Sequence, residues 1–286
     1  EVQDRTGEAN ALTTLGQLHI LTGDVDAGAS LFNEAHSLYD DKSDKTSVAW
    51  NLSALVDVAL MQNRLDDAEK KSREASDLFA DAGHILGVGR EYTHQAAIAS
   101  RQGNWATADD YTNRALGIFQ VGEVKPAIAD TLLQIGNIAT TRGDPAGADR
   151  AYKQALALFD EIKFPLSSAY TLNRLGESAF NQGELALAED YANRALQIYS
   201  TLEKNPAAAE SYNTLGNVER TRGNWSAAQT NFQKALSLSK ELSHEGNEAA
   251  ALSNLATIAV ERGDLDAAEI GFLKALAIYE KQSNSG

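Results

Sequence analysis

Apolar residues along the chain recur three apart: Leu12 and Leu15, Leu52 and Leu55, Leu132 and Ile135, Leu172 and Leu175, Leu252 and Leu255. That spacing marks one face of an α-helix. Each run stops at a polar break: Gly23-Asp24, Asn63-Arg64, Gly103-Asn104, Gly143-Asp144, Gly183-Glu184, Gly223-Asn224 or Gly263-Asp264, each 40 residues after the last. A second apolar run follows the break, as in "ALALF" (155–159), "ALQIY" (195–199) and "ALAIY" (275–279). The pattern predicts seven units of two helices in one register, without insertion or deletion. Arg142, Arg222 and Arg262 before the breaks suit a helix C-terminus. Asp, Asn or Glu after the Gly suits a helix start, and Pro145 sits where a first turn tolerates it. Pro126, Pro165 and Pro206 fall between units, where a break is expected.

Small residues fix the register more tightly. Twelve positions after each break stands Ala35, Ala75, Ala115, Ala155, Ala195, Ala235 or Ala275. Seven before it stand Gly16, Ala96, Gly136, Gly176, Gly216 and Ala256, with Val56 the exception, and five after it Gly28, Ala68, Ala108, Ala148, Ala188, Ala228 and Ala268. Antiparallel helices joined by so short a turn approach closely only where side chains are this small. Self-similarity of fixed period marks a repeat array.

These columns resemble the tetratricopeptide repeat. Its pattern of an aromatic or Leu, then Leu-Gly, then an Ala-rich second helix with Tyr or Phe is met by Leu12, Leu15-Gly16, Ala27-Gly28, Phe32 and Ala35. The sixth unit meets it again with Tyr212, Leu215-Gly216, Ala227-Ala228, Phe232 and Ala235. The unit departs from the common length of about 34 residues and lacks the closing Pro. In this it resembles the long repeats of kinesin light chains, of G-protein-regulator scaffolds, and of bacterial regulators and kinases with sensory solenoid arms. The resemblance implies an all-α, right-handed superhelical solenoid whose first helices line a concave groove for an extended peptide or a partner helix. The whole of 1–286 then forms one solenoid, with units at 9–48, 49–88, 89–128, 129–168, 169–208, 209–248 and 249–286. Residues 1–8 align with inter-unit segments such as 41–48, and 281–286 resemble the start of another, so the chain reads as a piece excised from a longer protein. An uncapped last unit presenting Leu273 and Leu276 is expected to self-associate end to end.

Charge narrows the partners. The net charge of −15 disfavours nucleic acid and anionic membrane, both of which need clustered Lys and Arg. No apolar run approaches the roughly 20 residues of a membrane span. The absence of Cys removes disulfides, thiol catalysis and Cys-based zinc sites. It leaves the compartment open, with cytoplasm favoured over periplasm. His19, His36, His84, His94 and His244 include no i, i+3 or i+4 pair, and read as surface or packing residues rather than metal ligands. Gly87-Val88-Gly89 lacks the rest of a dinucleotide fingerprint and reads as a linker; carboxylates read as a solvated helix face. The sequons at Asn51 and Asn224 read as chance, and Trp105 and Trp225 as packing within a unit. No acid, base and nucleophile set can be named, so no enzyme and no cofactor are expected.

The informative surface is what packing leaves of the first helices. Three columns cover it, starting at Asn10, Thr13 and Gln17 and repeating every 40 residues. Asn is a poor helix former, yet Asn137, Asn173, Asn213 and Asn217 recur there. A row of amides can both donate to and accept from a peptide backbone. The predicted groove therefore comprises Asn137, Tyr170, Asn173, Arg174, Glu177, Asn213, Asn217 and Arg220, with the arginines available to an acidic residue. The competing reading is that these Asn bond neighbouring helices. Two functions follow: a non-catalytic interaction scaffold binding a protein or peptide, or a sensory arm of a larger regulator or kinase that responds to an effector.

Overall fold

A computed structural model describes residues 5–40, 43–202 and 205–284. Fourteen helices run through the described residues, in the order the sequence pattern predicts. They are α1 (Arg5–Leu21), α2 (Val25–Leu38), α3 (Lys45–Met61), α4 (Leu65–Asp81), α5 (Ile85–Arg101), α6 (Trp105–Val121), α7 (Lys125–Arg142) and α8 (Pro145–Glu161). Then follow α9 (Pro165–Asn181) and α10 (Leu185–Tyr199), α11 (Ala208–Thr221) and α12 (Trp225–Glu241), and α13 (Glu245–Glu261) and α14 (Leu265–Asn284). The chain divides into two compact units, Glu1–Ile138 and Ala139–Gly286.

Each break is a helix stop closed by two backbone bonds. At the first, Asp24 N–H donates to His19 O at 2.9 Å and Gly23 N–H to Ile20 O at 3.1 Å. Position 23 must then take a left-handed conformation, which glycine adopts freely at φ 88°. The next helix starts on Asp24, whose carboxylate accepts from Ala27 N–H; Asp144 and Asp264 repeat this cap.

The same stop also joins repeats at four of the junctions, at positions 83, 123, 163 and 243, which the sequence did not announce. His84 N–H bonds Phe79 O at 2.8 Å, and His84 then caps α5 by accepting Gly87 N–H at Nδ1. Glu123, Lys163 and Ser243 hold the left-handed place at φ 53°, 59° and 53° without being glycine. The helices after these stops consequently begin at Ile85, Lys125, Pro165 and Glu245. Pro165 opens α9 and Pro126 lies in the first turn of α7, where a missing N–H forfeits no helical bond, so neither acts as a breaker.

The linker expected at Gly87-Val88-Gly89 is also helix, inside α5. Both glycines are buried, and a Cβ on Gly87 would lie 2.5 Å from the Phe79 ring. They are there for close approach, as the alanine columns are. Six alanines of the invariant column are fully buried, beside rings such as Phe32, Phe79 and Phe232 that lose almost all contact with water. Burying one such ring contributes about 1.5–3 kcal/mol. A Cβ on Gly16 would come within 2.6 Å of Phe32, so large and small positions are fitted to each other. Trp105 packs on Ala96, Ala99 and Ala108 as expected, whereas Trp225 remains partly exposed.

Candidate functional site

In the second unit, α9, α11 and α13 line a cavity of about 340 Å³. The spacing of one repeat per first helix brings Arg174 and Glu177, Glu210, Asn213 and Asn217, and Asn254 to its wall. Asn213 and Asn217 are half-buried on successive turns of α11. Asn254 Nδ2 donates weakly to Asn213 Oδ1 at 3.4 Å, which leaves the Asn213 amine and the Asn217 amide open to a ligand.

Other members of the predicted row are placed differently. Asn173 is buried, donating to Ala207 O at 2.9 Å while accepting from Ser211 Oγ. It fastens α9 to the start of α11, as Asn247 fastens α13 by donating to Pro206 O at 2.9 Å. Asn51 does the same in the first unit, donating to Phe32 O and Thr13 Oγ1, both at 3.1 Å. Asn137 lies half-buried on α7, in the first unit.

The arginines are not reserved for an acidic ligand. Arg174 pairs with Glu210 and, at 3.2 Å, with Glu177, and stacks its guanidinium 5.1 Å from the Tyr170 ring centre. Burial opposes its charge, but Glu210, Tyr170 and Glu177 outweigh that and strengthen it. Arg220 is paired with Glu261 at 3.1 Å. Both guanidiniums thus serve to join first helices of adjacent repeats.

The first unit holds a larger cavity, about 510 Å³, between α3, α5 and α7. Its floor is an ion network that the sequence reading missed. His94 is buried with Nδ1 3.0 Å from Glu91 and Nε2 3.0 Å from Asp57. Arg90 bonds the second oxygen of Asp57 at 2.8 Å and Ser53 Oγ at 2.9 Å. Burial works against a charged imidazole, but the bonds and charges of Asp57 and Glu91 prevail and raise it to about 9. Asp57 feels burial in the opposite sense, and His94 with Arg90 outweighs it, leaving the carboxyl below its ordinary value.

A sequence signal for this network existed. The column at 40-residue spacing through Glu91 reads Ala11, Asn51, Glu91, Thr131, Thr171, Ser211 and Ala251. Glu is the one large charged residue in a column of small and amide side chains. Glu91 is fully buried, with Oε1 lacking a partner. Reading carboxylates as a solvated face concealed it. Taking the histidines as surface or packing residues likewise passed over His94, and the two helix caps His84 and His244.

A family model described as tetratricopeptide repeat matches residues 91–161, 167–241 and 212–281. The chain belongs to the tetratricopeptide repeat family. No curated protein matches it. Among solved structures it is similar to a Rap protein complexed with Competence and Sporulation Factor, at TM-score 0.76 and 14% identity, over 96% of this chain and 76% of that one. Aspartyl phosphate phosphatase F from Bacillus subtilis gives 0.74 and 12%, over 94% and 69%. A signal transduction ATPase with a tetratricopeptide repeat sensor, from Pyrococcus horikoshii, gives 0.70 and 15%, over 94% of this chain and 42% of that one. At these identities the likeness is one of fold: an all-α tetratricopeptide repeat solenoid, the architecture of a protein-interaction scaffold. Among the described residues no helix is long and apolar enough to cross a membrane.

Proposed function

We propose that this tetratricopeptide repeat protein is a non-catalytic interaction module that holds an extended peptide or a partner helix against the first helices of its second unit. The observation that carries the reading is the cavity walled by Asn213, Asn217 and Asn254, whose amides retain unused hydrogen-bonding groups. An amide that both donates and accepts matches a peptide backbone irrespective of its sequence. Each such bond is worth about 0.5–1.5 kcal/mol net, so three give moderate affinity and side chains must supply specificity. Asn173 takes no part, because its amide is spent inside the protein. The second reading, a sensory arm of a larger regulator, draws on the likeness to the sensor-bearing ATPase and to the factor-bound Rap protein. It uses the same face for an effector.

Display of random peptides against the chain identifies a ligand. Replacing Asn213, Asn217 and Asn254 together by Ala should then weaken it at least tenfold while the melting temperature stays within a few degrees. Undiminished binding by that folded variant rejects the second-unit site.

A further inference from the structure

We infer that the cavity of the first unit is a separate binding site for a basic side chain, the lysine or arginine of a peptide or protein partner. The inference is independent of the amide row in the second unit. It starts from a charge count. Arg90 and the charged His94 balance Asp57 and Glu91, to which they are bonded. Asp130, on the wall of the same cavity, has no hydrogen-bond or ion-pair partner among the described residues. One negative charge is therefore left over, on an exposed residue at the mouth of an open cavity. Arg90, the cation whose field reaches Asp130, is already committed to Asp57 and Ser53.

Hydrogen-bonding capacity in the cavity is unbalanced in the same direction. Gln134 gives one amine hydrogen to Thr93 O at 2.7 Å, which leaves its side-chain oxygen as an acceptor beside one remaining N–H. The Thr93 and Thr131 hydroxyls donate to their own helices, at Arg90 O and Ala127 O, and so also offer acceptors. Asp130 and Gln134 share one face of α7, at i and i+4, and the buried Thr131 lies next to them on the cavity wall. These acceptors and the Asp130 charge suit a ligand that brings donors and positive charge.

The remaining wall is apolar: Trp50, Leu60, Leu86 and Phe119. Leu86 and Trp50 stay substantially exposed, a large apolar surface that an aliphatic stem would cover. Trp50 is held in place edge-on against Phe79 at 5.0 Å and His84 at 5.7 Å, so the wall is prearranged. An ammonium or guanidinium on an aliphatic stem matches both halves, the charged tip at Asp130 and the stem along the apolar wall. An acidic or a purely apolar ligand matches only one.

The test uses three probes: acetyl-Ala-Lys-Ala-amide, its norleucine counterpart, and n-butylammonium. The chain has three Trp, so three indole N–H signals are expected, and only Trp50 lines this cavity. The lysine peptide should move the Trp50 signal saturably and leave Trp105 and Trp225 unmoved. The norleucine peptide should not move it, and Asp130→Asn should weaken the lysine peptide about tenfold or more. Asp130 makes no internal bond, so that variant should keep its melting temperature. Should it melt lower, raising the ionic strength from about 0.05 to about 0.5 M in the wild-type protein supplies the same test, because an ion contact at a cavity mouth is screened. Equal movement by the norleucine peptide, or insensitivity to both Asp130→Asn and salt, overturns the inference. Tighter binding of n-butylammonium than of the lysine peptide also overturns it, since the site would then take a small free amine.

Discussion

Arg90 on α5 reaches back 33 residues to Asp57 on α3 and bonds it at 2.8 Å. The contact joins the first helices of adjacent repeats through a pair that neither helix satisfies alone. Asp57 in turn holds His94, which holds Glu91, so one exposed ion pair anchors a buried chain of charges. A buried carboxylate is costly unless paired, and His94 is the group that pairs Glu91.

That arrangement sets a pH dependence on the alkaline side. The imidazole is at about 9 in the folded protein against an ordinary 6.5, so its stabilisation is complete below pH 6.5 and lost as pH climbs through 9. A shift of that size corresponds to at most about 3 kcal/mol. Urea midpoints of the wild type should fall steadily from pH 6.5 to 9. In His94→Gln the overall stability should be lower and that slope largely absent. An identical slope in the variant would assign the dependence to other groups.

The invariant alanines give a steric prediction. Ala195 on α10 is fully buried, and added methylenes there have no space to enter. Ala195→Leu should destabilise by about 1–3 kcal/mol, read as a lower urea midpoint at unchanged slope. A midpoint equal to wild type would show that the column is not a packing constraint.

Two helical glycines should respond with opposite signs. A Cβ on Gly87 meets the Phe79 ring at 2.5 Å, so Gly87→Ala should cost about 1–3 kcal/mol. Gly117 on α6 is exposed and faces open space, with no atom within 4 Å of the place a methyl would take. Gly117→Ala should stabilise by about 0.5–1 kcal/mol through helix propensity alone. Thermal melts of the two single variants decide it, and the same sign for both would refute the assignment.

These cases show which parts of the architecture were legible. Ala35 to Ala275 could be read because a steric limit recurs identically in every repeat and admits almost one residue type. The repeat junctions could not, because the helix stop at Glu123, Lys163 and Ser243 is made by backbone bonds that leave the side chain unconstrained. Within the candidate sites, residue type located the polar face but not the direction of each bond. Asn173 and Asn213 occupy the same column one repeat apart and both line the cavity, yet the Asn173 amide is buried and bonded to Ala207 O and Ser211 while the Asn213 amine is left open. What separates them is the neighbouring helix: Ala207 O and Ser211 lie within reach of Asn173. The same dependence on neighbours hid Asp57, Glu91 and His94, which lie 37 residues or fewer apart but on two helices.

The last helix carries a prediction about association. Phe232 on α12 is fully buried, whereas its counterpart one repeat later, Phe272 on α14, is 42% exposed. Tyr279 follows suit at 45% where its counterpart Ser239 is buried, and Leu276 at 50% completes the stripe. These residues recur at 272, 276 and 279, the spacing of one helix face, so the exposed area is continuous. Leu273, expected from the sequence to share it, points away: its counterpart Gln233 is exposed. In α12 this stripe packs against α13, and on α14 it is left for a further surface to cover. Apolar stripes of this kind tend to find partners. Sedimentation velocity should show concentration-dependent self-association of the chain, and Phe272→Glu with Leu276→Glu should abolish it without lowering the melting temperature. Leu273→Glu should leave it intact. Monomeric sedimentation across the accessible range, or equal association by the Phe272 and Leu276 double variant, would mean that this face does not hold copies of the chain together.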